Sequence, residues 1–412
     1  MAVNGLPFIL DRGCGLDVHK DTVVATIKGS DFETETRTFL TFTDDLYELV
    51  AWLQSYSITE VAMESTGVYW RPVYCILEDY CHVILVNARH IKNVPGQKTD
   101  KKDSEWICKL LLSGLLKGSF IPEQEIRELR ELYRHRRKLV SSRTAEKNRL
   151  QNVLESANIK LRSVVSDVFG VSAMQMIQAI IQGQTDPEIL ANLAKGSLRN
   201  KRVELVKALK GNVTKHHIFM LNLILESINN INLQIAQLEA QMEQYRFSMQ
   251  KDVELLETIP GISRQLALSV LGEIGNDMSY FPDHQNLSSW AGVCPGNNES
   301  AGKKYSTRIT QGNKYLKASL VEAAWVAIRS KDNPIFAVKH YHISNRRGKK
   351  KATIAIAHKL LIAIYHVLRD KEPYQLHTQD KKILEHRRIK KIERFQLEIE
   401  KLKNIHIQSI AS

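Results

Sequence analysis

The order of four carboxylates constrains the fold of the first 120 residues more than any other feature. Asp17 and Glu64 each belong to an apolar, β-rich stretch. Asp100 and Asp103 lie three residues apart at the start of a helical pattern, so one helical turn brings both onto the same face. Acids gathered in this way repel one another unless divalent cations neutralise them. The order therefore favours an α/β domain that holds magnesium.

Short apolar runs alternate with amphipathic stretches from Cys14 to about Gly118, which is typical of an α/β layer. We predict strands over Gly15–Ile27, Thr34–Thr41, Glu60–Met63 and His82–Val86 and helices over Asp45–Ser55, Tyr69–Tyr80 and Asp100–Leu116, with a loop over Asn87–Lys98. This α/β domain is expected to occupy residues 1–120, with Asp17 in the middle of its first strand.

Apolar residues recur at roughly heptad spacing in two long segments after Ile121-Pro122. The first segment carries Ile126, Leu129, Tyr133, Val140, Leu150, Leu154 and Leu161, and the second carries Ile218, Leu221, Leu225, Ile228, Ile235, Leu238 and Met242. Asn232 falls on the second seam, where a polar residue can fix the register. The two segments can pair within one chain or between chains. They predict a helical linker and oligomerisation region over residues 121–250.

A third region is expected over residues 251–372 and a charged helical tail over residues 373–412. Residues Thr258–Ser263 resemble the hairpin turn with which some small helical modules present backbone N–H groups to phosphate. Residues Trp290–Gly302 form a polar, glycine-rich loop in this interpretation, and helices are predicted over Lys317–Ser330 and Ala352–Leu368. The basic run Arg346–Lys351 precedes the second of these helices.

Composition favours a polyanionic partner. The chain has 58 Lys plus Arg against 45 Asp plus Glu, a formal net charge of +13, which suits nucleic acid but also fits other basic proteins. Its five cysteines contain no CxxC pair, so neither a zinc site nor a disulfide framework is predicted. The start lacks a secretory signal and no run approaches a membrane span, so we expect a cytoplasmic protein without a membrane partner.

Each acid also has an ordinary structural explanation. Asp17 can be a solvent-facing strand residue and Glu64 can merely end a strand. Asp100 and Asp103 fit an N-cap followed by an acid at the third helical position. Phosphodiester chemistry with two metal ions, by contrast, needs acids that bridge cations about 3.5–4 Å apart. The ordered set within one α/β domain favours the metal site over the four separate explanations.

The chain resembles the DEDD-type transposases of insertion sequences. The matching text is Gly15–Lys20, Glu64–Gly67, Asp100–Asp103, Ile259–Ile262 and the segment from Ser300 to Gly312 that leads to Ala323-Ala324. It spans most of the chain, from Gly15 to Leu368. The resemblance implies a RuvC-like, RNase H-fold N-terminal domain joined by a coiled-coil region to a mainly helical C-terminal transposase domain.

The resemblance also implies the roles of individual residues. Asp17, Glu64, Asp100 and Asp103 are expected to bind Mg²⁺, with Mn²⁺ as an alternative ion. Ser300 matches the serine that acts as nucleophile on DNA, and Ser306 is the nearest alternative. Ala301 stands where the family often has glycine directly after the serine, so the geometry of this loop is left open.

The partners implied by the resemblance are donor DNA, target DNA and a structured noncoding guide RNA, bound by a dimer or tetramer in a bacterial or archaeal cytosol, near the nucleoid. Backbone contacts are predicted for Lys101, Lys102, Arg137, Lys303, Lys304, Arg308, Arg346, Arg347, Lys349, Lys350 and Lys351. Two other functions stay open at this point. One is a structure-selective nuclease such as a Holliday junction resolvase, which uses the acids and no serine. The other is a noncatalytic nucleic-acid-binding protein.

Overall fold

Two short strands, β1 (Ala2–Val3) and β2 (Leu6–Pro7), pair at the start of the chain, and the next five strands form one mixed sheet. These are β3 (Arg12–Val18), β4 (Thr22–Gly29), β5 (Glu35–Leu40), β6 (Glu60–Glu64) and β7 (His82–Val86). Their spatial order is β5-β4-β3-β6-β7. β3, β4 and β5 run antiparallel, whereas β6 and β7 continue the sheet in parallel with β3.

The computed structural model describes residues 2–3, 6–65, 67–87, 103–296, 298–300, 303–306, 309, 311–330, 334–376 and 378–410. The chain divides into two units, residues 1–121 and residues 122–412. The first is a mixed α/β unit, and the second is mainly helical. This division agrees with the α/β and helical classes expected from the sequence. The finer division of the second unit into three segments stays a prediction.

Helices cover both faces of the sheet in the first unit. They are α1 (Thr43–Ser55), α2 (Trp70–Leu77) and α3 (Asp103–Leu112). α1 and α2 contribute to a core that includes Leu16 and Met63, and α3 contributes to a second core that includes Ala62. Neighbouring residues of a strand point to opposite faces, which explains why Ala62 and Met63 belong to different cores.

The predicted single strand over Gly15–Ile27 is wrong. The chain reverses after Val18 and forms the hairpin of β3 and β4, in which His19 N–H donates to Thr22 O at 2.9 Å. Asp17 is therefore next to last in its strand rather than in its middle. The polar residues His19, Lys20 and Asp21 make this turn without the glycine or proline that usually announces one.

The end of α3 also differs from the prediction. The helix ends at Leu112, because Gly114 adopts a positive φ of 65°, and does not continue to Leu116. Asp100, Lys101 and Lys102 lie outside the described residues, as does most of the predicted loop over Asn87–Lys98.

Two long helices dominate the start of the second unit. They are α4 (Gln124–Ser156) and α9 (Lys215–Arg246), and between them lie α5 (Leu161–Val164), α6 (Val171–Ile181), α7 (Pro187–Ala191), a 3-10 turn (Gly196–Lys201) and α8 (Arg202–Leu209). Leu154 of α4, Ile177 of α6 and Leu221 of α9 are buried in the core that these helices share. The capping box of Thr214 and His217 begins α9.

The two heptad-like segments pair with each other within one chain. α4 and α9 pack against each other, and Arg143 Nη1 donates to Asn232 Oδ1 at 2.9 Å between the two helices. Asn232 is exposed, so the predicted position of Asn232 on the buried seam is wrong. The first helix is shorter than the heptad-like spacing predicts, because α4 ends at Ser156 and Asn158 has a positive φ of 54°. Leu161 accordingly belongs to the short helix α5.

The remainder of the second unit consists of helices and one hairpin. The elements are α10 (Gln250–Glu257), α11 (Arg264–Ile274), a 3-10 turn (Met278–Tyr280), α12 (His284–Trp290), β8 (Asn298–Ser300), β9 (Lys303–Ser306), α13 (Lys314–Arg329), α14 (Ile335–Arg347), α15 (Lys349–Asp370) and α16 (Thr378–Ile410). β8 lies within the predicted loop over Trp290–Gly302. α13 and α15 both begin three residues before their predicted starts, and Asn313 caps α13.

The turn between α10 and α11 is used for packing. Gly261 has a positive φ of 90°, and a Cβ at this position would be 2.6 Å from Ala323 O of α13. Ile262 N–H donates within the turn to Ile259 O at 3.1 Å. Glycine is required here because α13 approaches the turn closely. The presentation of the other backbone N–H groups of this turn to phosphate stays a prediction.

One helix contradicts the expectation that no run approaches a membrane span. α15 has 22 residues and a mean hydropathy of 1.4 over its apolar window, which is enough by length and composition. However, 56% of that window is buried inside the second unit. Ile356, Leu360 and Ile364 are fully buried there, as in a core helix.

Candidate active site

Asp17 and Glu64 occupy equivalent positions on two neighbouring parallel strands. β3 pairs with β6 so that Leu16 lies opposite Met63, and the two acids directly follow this pair. Leu16 and Met63 are buried on the side of α1 and α2. Because side chains alternate along a strand, Asp17 and Glu64 are directed to the other face of the sheet, which α3 covers.

α3 lies directly on β3 at Gly15. A Cβ at Gly15 would be 2.2 Å from Ser104 O and 2.4 Å from Cys108 N, so only glycine permits this approach. Gly15 shares a face with Asp17, two residues further along the strand. The first turn of α3, which begins with Asp103, is thereby held near the end of β3 that carries Asp17.

The three carboxylates interact electrostatically. Burial raises the pKa of Asp17, whose side chain is 20% exposed, and the charges of Asp103 and Glu64 raise this pKa further. His19 acts in the opposite direction and lowers the pKa of Asp17, with His19 Nε2 at 3.1 Å from Asp17 Oδ2. A negative charge on Asp17 is therefore opposed by its surroundings unless a cation is added.

Buried polar contacts hold α3 in this position. The hydroxyl groups of Thr26 and Ser104 lie 2.8 Å apart, and Cys108 Sγ donates to Gly13 O at 3.3 Å. Burial raises the pKa of Cys108 to about 12, which keeps the thiol protonated as a donor. Sequence reasoning missed these residues. The signal was the alternate glycines at positions 13 and 15 on one face of a strand, which indicate close backbone approach.

The carboxylates suit a hard divalent cation. In the part of the chain that the structure describes, no group of three His, Cys, Asp or Glu side chains is arranged to hold a metal ion. The predicted set includes Asp100, which lies outside that part. The described members offer the oxygen ligands that Mg²⁺ prefers. Their mutual repulsion at Asp17 is the electrostatic condition that a bound cation would relieve.

Ser300 lies in the hairpin of β8 and β9, of which the structure describes the backbone. Ser300 is the last residue of β8 and pairs with Lys303, whereas Ser306 pairs with Asn298 at the other end. Ala301 and Gly302 lie outside the described residues. The two serines considered from the sequence are thus at opposite ends of one hairpin, with Ser300 beside its turn.

Residues on either side of this hairpin in the sequence, Trp290 at the end of α12 and Asn313 at the N-cap of α13, are joined to each other and to α11. Asn313 N–H donates to Trp290 O at 3.0 Å, and the side chain of Asn313 donates to Glu273 Oε2. Glu273 is 3% exposed and accepts two hydrogen bonds from Arg134 of α4, at 2.9 and 2.8 Å. Arg130 donates to the carbonyl oxygens of Gly272 and Glu273. This Glu273 cluster, which sequence reasoning did not find, links α4, α11 and the start of α13.

The predicted nucleic-acid-binding residues lie at several places. Arg137 is exposed on α4 and lines a cleft together with Arg136 and Gln265. Lys303 and Lys304 belong to β9, and Arg308 lies outside the described residues. The basic run spans the end of α14 and the start of α15: Arg346, Arg347, Lys349, Lys350 and Lys351 are all exposed around Gly348.

Two family models match the chain in order. A DEDD transposase model covers residues 14–159, which include Asp17, Glu64, Asp100 and Asp103. The model described as "Transposase IS116/IS110/IS902 family" covers residues 253–340, which include the hairpin with Ser300.

Named relatives agree with these models. The "Transposase for insertion sequence element IS1111A" of Coxiella burnetii is 24% identical over 299 residues, 71% of this chain and 72% of the relative. The "Probable family 20 transposase" of Pseudomonas aeruginosa is 22% identical over 73% of this chain and 80% of the relative. The "Pilin gene-inverting protein" of Moraxella bovis is 35% identical over 29% of this chain and 38% of the relative. The chain belongs to the DEDD-type insertion-sequence transposases of the IS116/IS110/IS902 family.

Proposed function

We propose that this protein is a DNA transposase that cuts and rejoins strands with Mg²⁺ held by Asp17, Glu64, Asp100 and Asp103 and with Ser300 as nucleophile. One observation carries the proposal: Asp17 and Glu64 are adjacent on parallel strands, and the charge of Asp103 reaches Asp17. Three acids that merely ended strands or capped a helix would not need to share one electrostatic environment. The relatives named as transposases and as pilin gene-inverting proteins support this class of reaction.

The fold of the first unit is inferred to be RNase H-like, of the RuvC type. Three antiparallel strands followed by two parallel ones, with acids near the ends of the central strand β3 and its neighbour β6, support this inference. The packed helices α4 and α9 support a coiled-coil region between the N-terminal domain and the transposase domain.

The proposed chemistry transfers a phosphoryl group without net hydrolysis. Mg²⁺ at the acids would neutralise charge on the phosphate and steady the departing oxygen. Ser300 Oγ loses its proton to a base and forms a bond to phosphorus, while the bond from phosphorus to the deoxyribose oxygen breaks and that oxygen takes up a proton to become a hydroxyl. The hydroxyl of a second DNA then attacks the serine–DNA ester, which restores a phosphodiester and the free serine. The P–O bond that is broken in the first DNA is thus replaced by a P–O bond to the second DNA.

The proposed partners are donor DNA, target DNA and a structured guide RNA. Exposed basic residues suit contacts to nucleic-acid backbones, and base pairing with a guide would carry the sequence information. Because an exchange joins two DNAs, we propose a dimer or tetramer. α4 and α9 already pair within one chain, so they do not by themselves supply the subunit interface.

The serine role is tested by comparing Ser300→Ala with Ser306→Ala, its matched control in the same hairpin. A recombinase loses both strand exchange and the covalent protein–DNA adduct in Ser300→Ala and keeps both in Ser306→Ala. Continued cutting by Ser300→Ala without an adduct would instead identify a structure-selective nuclease. DNA binding without any Mg²⁺-dependent cutting by the unaltered protein would identify a noncatalytic binding protein.

The guide and the assembly need separate tests. Sequencing of the RNA that copurifies with the protein should return one defined transcript from DNA flanking the coding sequence. Random cellular RNA would contradict guidance. The mass of the complex with DNA and RNA in solution should correspond to two or four chains, and a monomer would contradict the proposed assembly.

A further inference from the structure

The longest acid-free stretch of the second unit surrounds the basic run. Residues Asn333–Arg369 contain eight Lys or Arg residues and no Asp or Glu. Five of them belong to the basic run Arg346–Lys351. The last three, Lys349–Lys351, are the first residues of α15, whose first turn contains no acid. A helix N-terminus already carries positive partial charge, so three lysines at this position repel it and raise the local positive potential further. The one acid of these two helices, Asp370, lies at the end of α15 opposite to the lysines, and Asp380 of α16 pairs with Lys339 rather than with the basic run.

An exposed tryptophan lies on the neighbouring helix. Trp325 of α13 is 40% exposed. The guanidinium of Arg329 lies 5.6 Å from its ring centroid, and the ring of His340 on α14 lies 6.1 Å away. The ring of Trp325 therefore has two neighbouring side chains, and much of its surface still faces solvent. Tryptophan side chains are highly buried on average, so the exposure of this ring is unusual.

A short series of contacts connects Trp325 to the basic run. His340 Nε2 lies 3.4 Å from Thr353 Oγ1, which donates to Lys349 O at 3.0 Å. Lys349 is the first residue of α15. One exposed ring thus lies close to the end of α15 where the lysines are concentrated. Tyr341, the residue after His340, adds a second exposed ring at 58% exposure.

We propose that Trp325 and the basic run Arg346–Lys351 form a binding site for unpaired nucleotides, in which a base stacks on Trp325 and the lysines and arginines contact the adjoining phosphates. This inference rests on the proposed function, since it names the form of nucleic acid that this surface binds. An exposed aromatic ring beside uncompensated positive charge is the combination that single-stranded nucleic acid requires. Duplexes offer phosphates but keep their bases stacked inside.

The lysines of this surface favour nucleic acid over a protein as its main occupant. The ring contacts of Trp325 are with Arg329 and His340, and His340 in turn lies 3.4 Å from Thr353 in the first turns of α15. Lysine is depleted in protein interfaces, although tryptophan and arginine are enriched there, so the three consecutive lysines Lys349–Lys351 favour nucleic acid over a protein partner. The charge of this surface fits a polyanion whose bases are accessible.

The test measures binding of labelled single-stranded RNA, single-stranded DNA and duplex DNA of equal length to the full chain, in EDTA. Stacking on one aromatic ring corresponds to about a 5-fold to 150-fold difference in affinity. Trp325→Ala should lose that factor for single strands and change duplex binding little, and Trp325→Phe should recover most of it. Tyr47→Ala is the control, because Tyr47 is 49% exposed on a helix with acids in its first turn.

Three results would overturn the proposal: unchanged single-strand binding by Trp325→Ala, an equal loss on duplex, or a change in oligomer size without a change in binding. Preference for the RNA or the DNA single strand would identify the source of the unpaired nucleotides. Quenching of tryptophan fluorescence by single strands should disappear in Trp325→Phe. Because no metal-dependent chemistry occurs in EDTA, failure of this test leaves the test of Asp17 and Ser300 unaffected.

Discussion

Gly15 of β3 lies so close to Ser104 of α3 that a Cβ at Gly15 would be 2.2 Å from the Ser104 carbonyl oxygen. The helix that carries Asp103 can approach the strand that carries Asp17 only because this residue has no side chain. One glycine thus helps to determine the separation of two proposed metal ligands.

We expect Gly15→Ala to lower the free energy of unfolding by about 3 kcal/mol, the upper end of overpacking costs, because the clash involves backbone atoms. Mg²⁺-dependent cutting should fall as well, since α3 must move away from β3. Gly13→Ala is the matched control. Its new Cβ would lie 3.0 Å from the flexible end of Leu111, so the cost should stay near 1 kcal/mol. Denaturant unfolding of both variants measures the difference, and equal stabilities would contradict the argument.

Asp17→Asn should stabilise the protein without metal and remove its response to metal. The pKa of Asp17 is raised above 3.8 in the folded state, so folding favours the protonated form. Its contribution to stability is present below pH 3.8 and is lost as the pH rises through the folded pKa. At neutral pH in EDTA, Asp17→Asn should therefore melt at a higher temperature than the unaltered protein.

Addition of Mg²⁺ should raise the melting temperature of the unaltered protein and leave that of Asp17→Asn unchanged. Asp21→Asn, an exposed acid in the adjacent turn, is the control and should behave like the unaltered protein. A melting temperature of Asp17→Asn that still rises with Mg²⁺ would place the ion elsewhere.

His19→Gln should shift the pH dependence of activity. His19 lowers the pKa of Asp17, so its removal raises that pKa and keeps Asp17 protonated up to a higher pH. The acidic limb of the profile of Mg²⁺-dependent cutting should move to higher pH, with little change on the alkaline side. His82→Gln is the control, because His82 pairs with Glu60 at 2.7 Å in the same sheet. If the pH profile of His19→Gln is identical to that of the unaltered protein, His19 does not influence the proposed site.

Glu273→Gln should destabilise the second unit by about 3 kcal/mol, because it leaves Arg134 without its buried carboxylate partner. Strand exchange should fall as well, since Asn313, which caps α13 in the segment that follows the Ser300 hairpin, also bonds to Glu273. Glu239→Gln is the control. Glu239 is 45% exposed and pairs with Arg136, so its loss should cost less than about 1 kcal/mol. Thermal melts of both variants measure the difference. Equal losses of stability would mean that Glu273 contributes no more than an ordinary surface ion pair.

Neutralisation of Lys349, Lys350 and Lys351 to glutamine should flatten the plot of log affinity against log salt. Each lost phosphate contact lowers the slope by about 0.7 for single strands and about 0.9 for duplex DNA. The same three substitutions at Lys381, Lys382 and Lys390 remove equal charge from the exposed helix α16 and should leave the slope nearly unchanged. Equal effects of the two triple variants would mean that net charge alone matters.

The sequence by itself determined the class of each region and the family. Apolar periodicity identified most strands and helices, because burial of one face is a local property that recurs every two or every 3.6 residues. The sequence also selected Asp17, Glu64, Asp100 and Asp103 as a set. The structure places the first two at neighbouring positions of adjacent strands, and Asp100 lies outside the described residues. Periodicity did not reveal the reversal at His19–Asp21, because that turn uses neither glycine nor proline.

Only the tertiary structure decided which distant residues meet. The pairing of α4 with α9, the close approach of Ser104 to Gly15 and the bonds of Arg134 and Asn313 to Glu273 join residues far apart in sequence. No local pattern encodes such contacts, since they depend on how the faces of separate elements pack together. The raised pKa of Asp17 belongs to the same class, because burial and the approach of Asp103 exist only in the folded chain.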